Sequence, residues 1–354
     1  MNFQTNKNIK IAVVILNWNG KDYLEKFIPL LIKYSKSEHV EIYIADNGST
    51  DDSISFLQSS FPEIKIILLD KNYGFAGGYN KALAQIDAEY YIILNSDVEV
   101  SENWIFPIID KMDADHSVAV AMPKIKAFHD KNYFEYAGAA GGFIDKFGYP
   151  FCRGRILDKI EKDTGQYNNE SEIFWASGAC LFIRSETFHE HKGFDEDFFA
   201  HMEEIDLCWR IKNTGQKIMY YPNSEVYHVG GGALPNDSPK KLYLNYRNSL
   251  LMLFKNLSRS KLILILLVRM VLDGMSASVY IVKLEFSNFF AVFKAHLSFY
   301  KLLPRFISKR KKMLTKSNFA LKEVYDRSIA YDYFVKKIFL FKDLPFKKLT
   351  NINR

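Results

Sequence analysis

The residues of this chain whose types and spacing could do chemistry begin with Asp97, in Leu94-Asn95-Ser96-Asp97-Val98-Glu99-Val100. The run Glu89-Tyr90-Tyr91-Ile92-Ile93-Leu94 before it is apolar and β-rich, and predicts a buried strand. Asp97 then stands just past the carboxyl end of a sheet strand, where open α/β sheets bind ligands. A carboxylate there, with Glu99 two positions on, can hold a hard cation such as Mg²⁺ or Mn²⁺, which usually arrives with a phosphate. The plainer reading is a solvated turn acid, because Asp is common in turns. Further polar sets stand at Asp46-Asn47-Gly48-Ser49, at Glu203-Glu204-Ile205-Asp206 and at His228.

Positioning such a set requires alternating strands and helices. Ile9 to Leu16, Val40 to Ala45 and Ile64 to Leu69 predict three strands ahead of the one at 89–94. Lys21 to Tyr34 spaces its apolar residues at helical intervals, with Pro29 as a potential kink. Asn72-Tyr73-Gly74-Phe75-Ala76-Gly77-Gly78 is a glycine-rich turn opening a helix to about Ile86. The alternation implies right-handed crossovers and a mostly parallel sheet of the nucleotide-binding kind. Yet the first turn, Asn17-Trp18-Asn19-Gly20, is no G-x-G-x-x-G, and no Walker A loop is present. Phe128 to Ser171 reads as irregular loops covering a site. Phe174 to Ile183 is strand-like, His201 to Arg210 starts a helix, and Lys217 to Tyr221 and Glu225 to His228 predict two short strands ending at Gly230-Gly231-Gly232.

The chain has 354 residues, 48% of them hydrophobic, enough for one large core or two smaller ones. Cys152, Cys180 and Cys208 have no paired spacing, which argues against a disulfide framework or a zinc knuckle and fits a reducing compartment. The polar stretch from Met1 to Lys10 does not read as a signal peptide. Charge is divided unevenly. Residues 1–254 carry 26 Lys+Arg against 35 Asp+Glu, a net of −9, and residues 255–354 carry 21 against 6, a net of +15, which together give the whole-chain +6. No zinc-finger, helix-turn-helix or RNP pattern accompanies the basic part, so nucleic acid is excluded as a partner. Basic and apolar together point to an anionic membrane surface. Leu257 to Val282 is interrupted by Arg269 and Asp273, and predicts an interfacial helix, with Phe286 to Tyr300 as a second and Lys309-Arg310-Lys311-Lys312 as a basic cluster for lipid headgroups. The other reading is a helical subdomain packing on the core or on a second subunit, as a homo-oligomer.

Six motifs in order, Val14-Ile15-Leu16-Asn17-Trp18-Asn19-Gly20, Asp46-Asn47-Gly48-Ser49, Asn72-Tyr73-Gly74-Phe75-Ala76, Leu94-Asn95-Ser96-Asp97, Gly193-Phe194-Asp195-Glu196 and Glu203-Glu204-Ile205-Asp206-Leu207 with Arg210, resemble glycosyltransferase family 2, and within it the bacterial rhamnosyltransferase-like branch. They span roughly Ile9 to Asn248. The resemblance implies an α/β GT-A fold, expected over residues 1–254, and the charge and apolar pattern adds a basic helical extension over 255–354. It implies a nucleoside-diphosphate-sugar donor and inversion at the anomeric carbon. Asp46 resembles the family's nucleobase carboxylate, able to accept the N3–H of uracil or thymine; its plainer role is a helix N-cap. Asn17 and Asn72 would line the same cleft, and Gly74 would either approach the donor or allow tight packing. Asp97 matches the last acid of the family's D-x-D, and Asn95 departs from its first. His228 resembles the histidine that completes the metal site in part of the family; the plainer reading is a core or surface histidine. Glu204 stands where the family usually has Asp as base, and Glu203 beside it would support it or touch the acceptor. The plainer reading of both is a charged helix start, worth under ~1 kcal/mol. Asp206 and Arg210, four apart, read as a structural pair, and Trp175 as core.

The expectation is thus a Mg²⁺- or Mn²⁺-dependent enzyme moving a sugar, from dTDP-rhamnose or a UDP-sugar, to a lipid-linked glycan acceptor of bacterial surface polysaccharide. Its expected location is the inner face of the cytoplasmic membrane. The rival is a non-catalytic sugar-nucleotide or glycan binder on the same fold, with Asn95 and Glu204 marking lost activity.

Overall fold

The computed structural model describes residues 10–230, 238–313 and 321–346. Ile9, Gly231 and Gly232 of the expected elements lie outside them. In chain order the first elements are β1 (Ile11–Asn17), α1 (Lys21–Ser35), β2 (Val40–Asp46), α2 (Ser53–Ser60), β3 (Lys65–Leu68), α3 (Gly74–Leu83) and β4 (Tyr90–Asn95). The strands lie in the order β3-β2-β1-β4, all parallel. β1 and β4 are apolar along almost their whole length because helices cover both faces, as a central parallel strand requires. The register sets Asn17 beside Asp46 and Leu16 beside Asn95, so the polar residues that end three strands share the carboxyl edge of the sheet.

The second half departs from a simple parallel plan. β5 (Val98–Val100), α4 (Phe106–Ala114) and β6 (Val118–Ala127) follow. The segment expected to be loops folds into β7 (Gly142–Asp145), β8 (Pro150–Cys152), β9 (Arg155–Ile156) and β10 (Lys159–Ile160), most of a separate five-stranded sheet. Strands of two to four residues are too short for an alternating pattern to be legible. After β11 (Ser171–Glu172), β12 (Cys180–Arg184) enters the main sheet antiparallel between β4 and β6. Then come α5 (Ser185–Glu190), α6 (Glu203–Lys212) and β13 (Lys217–His228). The two short strands expected at 217–228 are one strand, parallel to β6, with a register shift between Tyr221 and Glu225. Pro222 sits in that shift, where a residue without an N–H is tolerated.

Helices α7 (Pro239–Asn256), α8 (Arg259–Val282) and α9 (Phe286–Met313) follow, then β14 (Val324–Tyr325), which joins the small sheet beside β7, and α10 (Ile329–Phe334). The expected boundary at residue 254 falls inside α7. Arg269 and Asp273, which read as interruptions of an apolar span, lie on the buried face of α8. Arg269 Nη1 donates to Phe147 O at 2.9 Å, and Asp273 faces His296 at 3.3 Å. The outward face carries Ile263, Leu264, Leu267, Val271, Met275 and Val279. By length and composition α8 is long and apolar enough to cross a membrane, where the sequence suggested a shorter stretch. The basic cluster is also corrected. Lys309 pairs with Asp195 and, at 2.6 Å, with Asp197, and Arg310 donates to Phe254 O, so half of it faces the protein.

Candidate active site

Asp97 follows the end of β4 and opens into β5, whose partner β13 sets His228 opposite Val98. His228 Nε2 therefore lies 3.1 Å from Asp97 Oδ1, and 3.4 Å from Asn95 Nδ2. The other ring nitrogen, Nδ1, lies 3.4 Å from Glu135 Oε1. Asp97, His228 and Glu135 are all buried, with 5–6% of their surface exposed. Burial alone pushes an imidazole toward its neutral form. The carboxylates of Glu135 and Asp97 outweigh it and raise His228 to about 10. Sequence reasoning missed Glu135, which lies in the aperiodic segment before the small sheet. Glu99 does not reach this cluster, because it pairs with Lys131.

Carboxylate Oδ1 and imidazole Nε2 face each other at 3.1 Å, and an oxygen–nitrogen pair suits Mn²⁺ better than Mg²⁺. With Glu135 holding the proton on Nδ1, a cation that displaces the second proton would find the lone pair of Nε2. Among the described residues no group of three His, Cys, Asp or Glu is arranged to hold a cation, so a two-residue set would depend on phosphate oxygens for the rest. The residues present fit a cation that arrives with a diphosphate.

Along the same sheet edge, Asn17 Nδ2 donates to Asp46 Oδ1 at 3.0 Å, and Ser49 N donates to Asp46 Oδ2 at 2.9 Å. Asp46 is 1% exposed, and the cap position of α2 is held by Asp52 instead. Asn17 Oδ1 is buried with no hydrogen-bond partner among the described residues. Asn72 Oδ1 accepts from Gly74 N at 2.8 Å and from Asn47 Nδ2 at 3.2 Å, and Asn47 Oδ1 accepts from Tyr73 N at 3.0 Å. Asn47, which sequence reasoning passed over, thereby staples the 72–74 turn to the end of β2. Gly74 has φ +72°, and a Cβ there would lie 2.5 Å from Phe199 O. The tight-packing reading of this glycine has a concrete partner: Phe199.

Phe199 belongs to the loop that delivers the acid pair. Phe199, His201 and Met202 all have left-handed φ, a costly run for residues with side chains. The loop turns directly into α6, whose first two residues are Glu203 and Glu204. Glu203 is buried and Glu204 partly so, and Oε2 of each lacks a hydrogen-bond partner among the described residues. Burial pushes Glu204 up to about 7, against two backbone hydrogen bonds. Burial and then the charge of Glu204 push Glu203 well above the usual carboxylate range. Asp206, by contrast, is fully paired, with Arg210 Nε at 2.9 Å, Lys255 Nζ at 2.7 Å and Asn256 Nδ2 at 2.8 Å. Trp175 is core, its Nε1 donating to Phe143 O at 3.0 Å.

Residues 12–190, half of the chain, match the family model described as Glycosyl transferase family 2. The chain belongs to glycosyltransferase family 2. It is 25% identical over 261 residues to an N-acetylglucosaminyl-diphospho-decaprenol L-rhamnosyltransferase of Mycobacterium tuberculosis, covering 69% of this chain and 83% of that one. It is 24% identical over 228 residues to the rhamnosyltransferase WbbL of Escherichia coli K12, covering 62% and 83%. It is 24% identical over 263 residues to the dTDP-rhamnosyl transferase RfbF of Shigella flexneri, covering 70% and 81%. A crystal structure of GalNAc-T7 with UDP, GalNAc and Mn²⁺ superposes with a TM-score of 0.54 at 16% identity, over 71% of this chain and 48% of that one. The likeness extends the family assignment to a GT-A fold. The chain is a family 2 glycosyltransferase of rhamnosyltransferase-like sequence.

Proposed function

We propose that this family 2 enzyme is an inverting, cation-dependent glycosyltransferase. It moves a sugar, with rhamnose the first candidate, from a dTDP or UDP donor to a lipid-linked glycan in bacterial surface polysaccharide assembly. The names of its relatives support the sugar and the lipid-linked acceptor. The observation that carries the reading is the buried Asp97–His228 pair at 3.1 Å, at the same sheet edge as Asn17 and Asp46.

Asp46, steadied by Asn17 and Ser49, offers its carboxylate to the nucleobase. Asp97 and His228 face the diphosphate, where a bound Mg²⁺ or Mn²⁺ would supply Lewis-acid neutralisation of the leaving group. Glu204 takes the proton of the acceptor hydroxyl as its oxygen attacks the anomeric carbon from the face opposite the diphosphate. The new C–O bond forms as the bond to the diphosphate breaks, which inverts the centre. Glu203, held protonated by its burial and its neighbour, touches the acceptor or steadies Glu204. The basic, apolar C-terminal helices rest on an anionic membrane at the cytoplasmic face, where a lipid-linked acceptor is presented.

Nucleotide release from UDP-sugars, dTDP-sugars and GDP-mannose tests this, with Mg²⁺ or Mn²⁺ and with chelator. Release from one donor, abolished by chelator and by Asp97→Ala, is the expected result. A wild-type protein that binds no donor by calorimetry would overturn the reading. Donor binding without turnover, even with a lipid-linked acceptor supplied, would favour the non-catalytic binder.

A further inference from the structure

We infer that the groove between the first turns of α7 and the start of α9 seats the prenyl-diphosphate end of the acceptor, an inference that rests on the lipid-linked transferase reading above. The groove has a volume of about 540 Å³ and is lined by Tyr243, Ser287, Phe290 and Ala291, with Lys240 and Lys294 in its wall. That volume lies within the ~300–1,000 Å³ typical of small-molecule sites. Its chemistry is two-sided: an apolar lining from Tyr243, Phe290 and Ala291, and the two lysine side chains in its wall. Neither Lys240 nor Lys294 makes an ion pair with a described residue. Paired lysines suit the two phosphates of a diphosphate, which a neutral lipid or an apolar peptide would leave unanswered.

Both ends of the groove lead somewhere useful. On the inner side, Lys240 Nζ lies 5.5 Å from the centre of the Phe199 ring. Phe199 packs on Gly74 of the donor-side turn and begins the left-handed run into Glu203 and Glu204. A sugar attached to a diphosphate at Lys240 therefore extends toward the acid pair. On the outer side, Phe290 belongs at once to the groove and to an exposed apolar row on α9 that continues through Phe293 and Leu297. The rest of a long prenyl chain has a continuous apolar path away from the groove and onto the outward face of α9. The exposed ammonium groups of Lys240 and Lys294 complement a diphosphate and disfavour a basic partner.

Farnesyl diphosphate is a soluble probe of this site, with farnesol and inorganic pyrophosphate as its two halves. Calorimetric titration into the full-length protein should show farnesyl diphosphate binding at least about tenfold more tightly than either half, as expected when apolar and charge-assisted contacts add. Ser287→Trp, an exposed position at the groove, should weaken binding by about tenfold through steric filling, roughly one lost contact of 1.4 kcal/mol. Lys240→Ala with Lys294→Ala should erase the preference for farnesyl diphosphate over farnesol. Each variant is accepted only with a wild-type thermal midpoint. Pyrophosphate binding as tightly as the prenyl compound would reduce the site to a surface anion contact and overturn the inference. So would wild-type affinity in both the Ser287→Trp and the double-lysine proteins, or no binding by the wild type. Donor-dependent nucleotide release by the wild type is followed separately. Its absence would remove the transferase reading, whereas prenyl-diphosphate binding reports on the groove by itself.

Discussion

A carboxylate that takes a proton from a hydroxyl near neutral pH works best with its own pKa near neutral pH. Glu204 meets that condition, because burial pushes it up to about 7. Glu203 beside it is also pushed well above the usual carboxylate range, by burial and then by the charge of Glu204. The sign of the pH dependence follows. The base must be deprotonated, so transfer should rise about tenfold per unit of increasing pH below about 7 and level off above it. Glu204→Gln should lower kcat by ~10²–10⁴-fold and abolish the rise, with donor affinity unchanged. A pH–rate profile of wild type and variant with acceptor present decides this, and a flat wild-type profile through neutrality would remove Glu204 as the base. Glu135 acts through another residue. Its carboxylate faces His228 Nδ1, so Glu135→Gln should weaken Mn²⁺ binding by ~10–100-fold. Electron paramagnetic resonance of free Mn²⁺ with UDP present reads this without turnover, and an unchanged affinity would leave Glu135 a packing residue. Asp97 and His228 were legible in sequence as strand-end residues and through the family resemblance, and strand ends meet at one sheet edge. Glu135 was not, because only the folded path of an aperiodic segment brings it to His228.

At the scale of elements, the strained loop before α6 needs an external clamp. Left-handed φ at Phe199, His201 and Met202 costs of order 1–3 kcal/mol per residue. The clamp is α7. Asn248 Nδ2 donates toward Phe198 O, Ala200 O and His201 O at 2.7–2.9 Å, and Arg247 Nη2 donates to Asp197 O at 3.0 Å. Asn248 is fully buried, so Asn248→Ala leaves Ala200 O and His201 O to find other donors, while Phe198 O keeps Arg247 Nη2 and Ala200 N. The variant should lose ~1–3 kcal/mol of stability and transfer about tenfold more slowly, with donor affinity retained. Thermal denaturation and donor calorimetry measured beside the rate check it, and a slower rate with an unmoved melting midpoint would point to contact with acceptor instead of support of the loop. The parallel quartet β3-β2-β1-β4 and the acidic start of α6 were readable because their periods and turn residues are local. The dependence of the loop on α7 was not. The composition shift near residue 254 suggested a boundary there, but Lys255 reaches back to Asp195 and Asp206, both at 2.7 Å. Composition records which charges exist, and says nothing of whether they face water or the neighbouring helix.

For the whole molecule, the question is what covers the outward faces of α8 and α9. Leu264 and Val282 are 68% and 83% exposed, and Phe286, Phe290, Phe293 and Leu297 form a second row at helical spacing. Arg269 and Asp273, on the buried side, leave the outward row of α8 without a charge between Ile263 and Val271. Rows of this length are rare on a surface that meets only water. Exposed Arg259, Lys261, Lys283, Lys294 and Lys301 surround them, and each lysine or arginine near an anionic bilayer contributes about 1 kcal/mol. Two separable forces are therefore expected in vesicle binding. Lys261→Ala with Lys283→Ala should weaken association with phosphatidylglycerol vesicles at low salt and matter little at high salt, where charges are screened. Leu264→Asp with Leu267→Asp should weaken it at both, by at least about tenfold, since burying each leucine is worth ~1.5–3 kcal/mol. Co-sedimentation across a salt series separates the two. Were the wild type to ignore vesicles and sediment as a dimer that the leucine variants dissociate, the rows would be an interface between two copies. The helices would then hold the acceptor groove away from any bilayer, and a lipid-linked acceptor would have to leave its membrane to reach Glu204. Binding to vesicles leaves the groove opening onto the surface where such an acceptor resides, so the vesicle experiment constrains the substrate as well as the location.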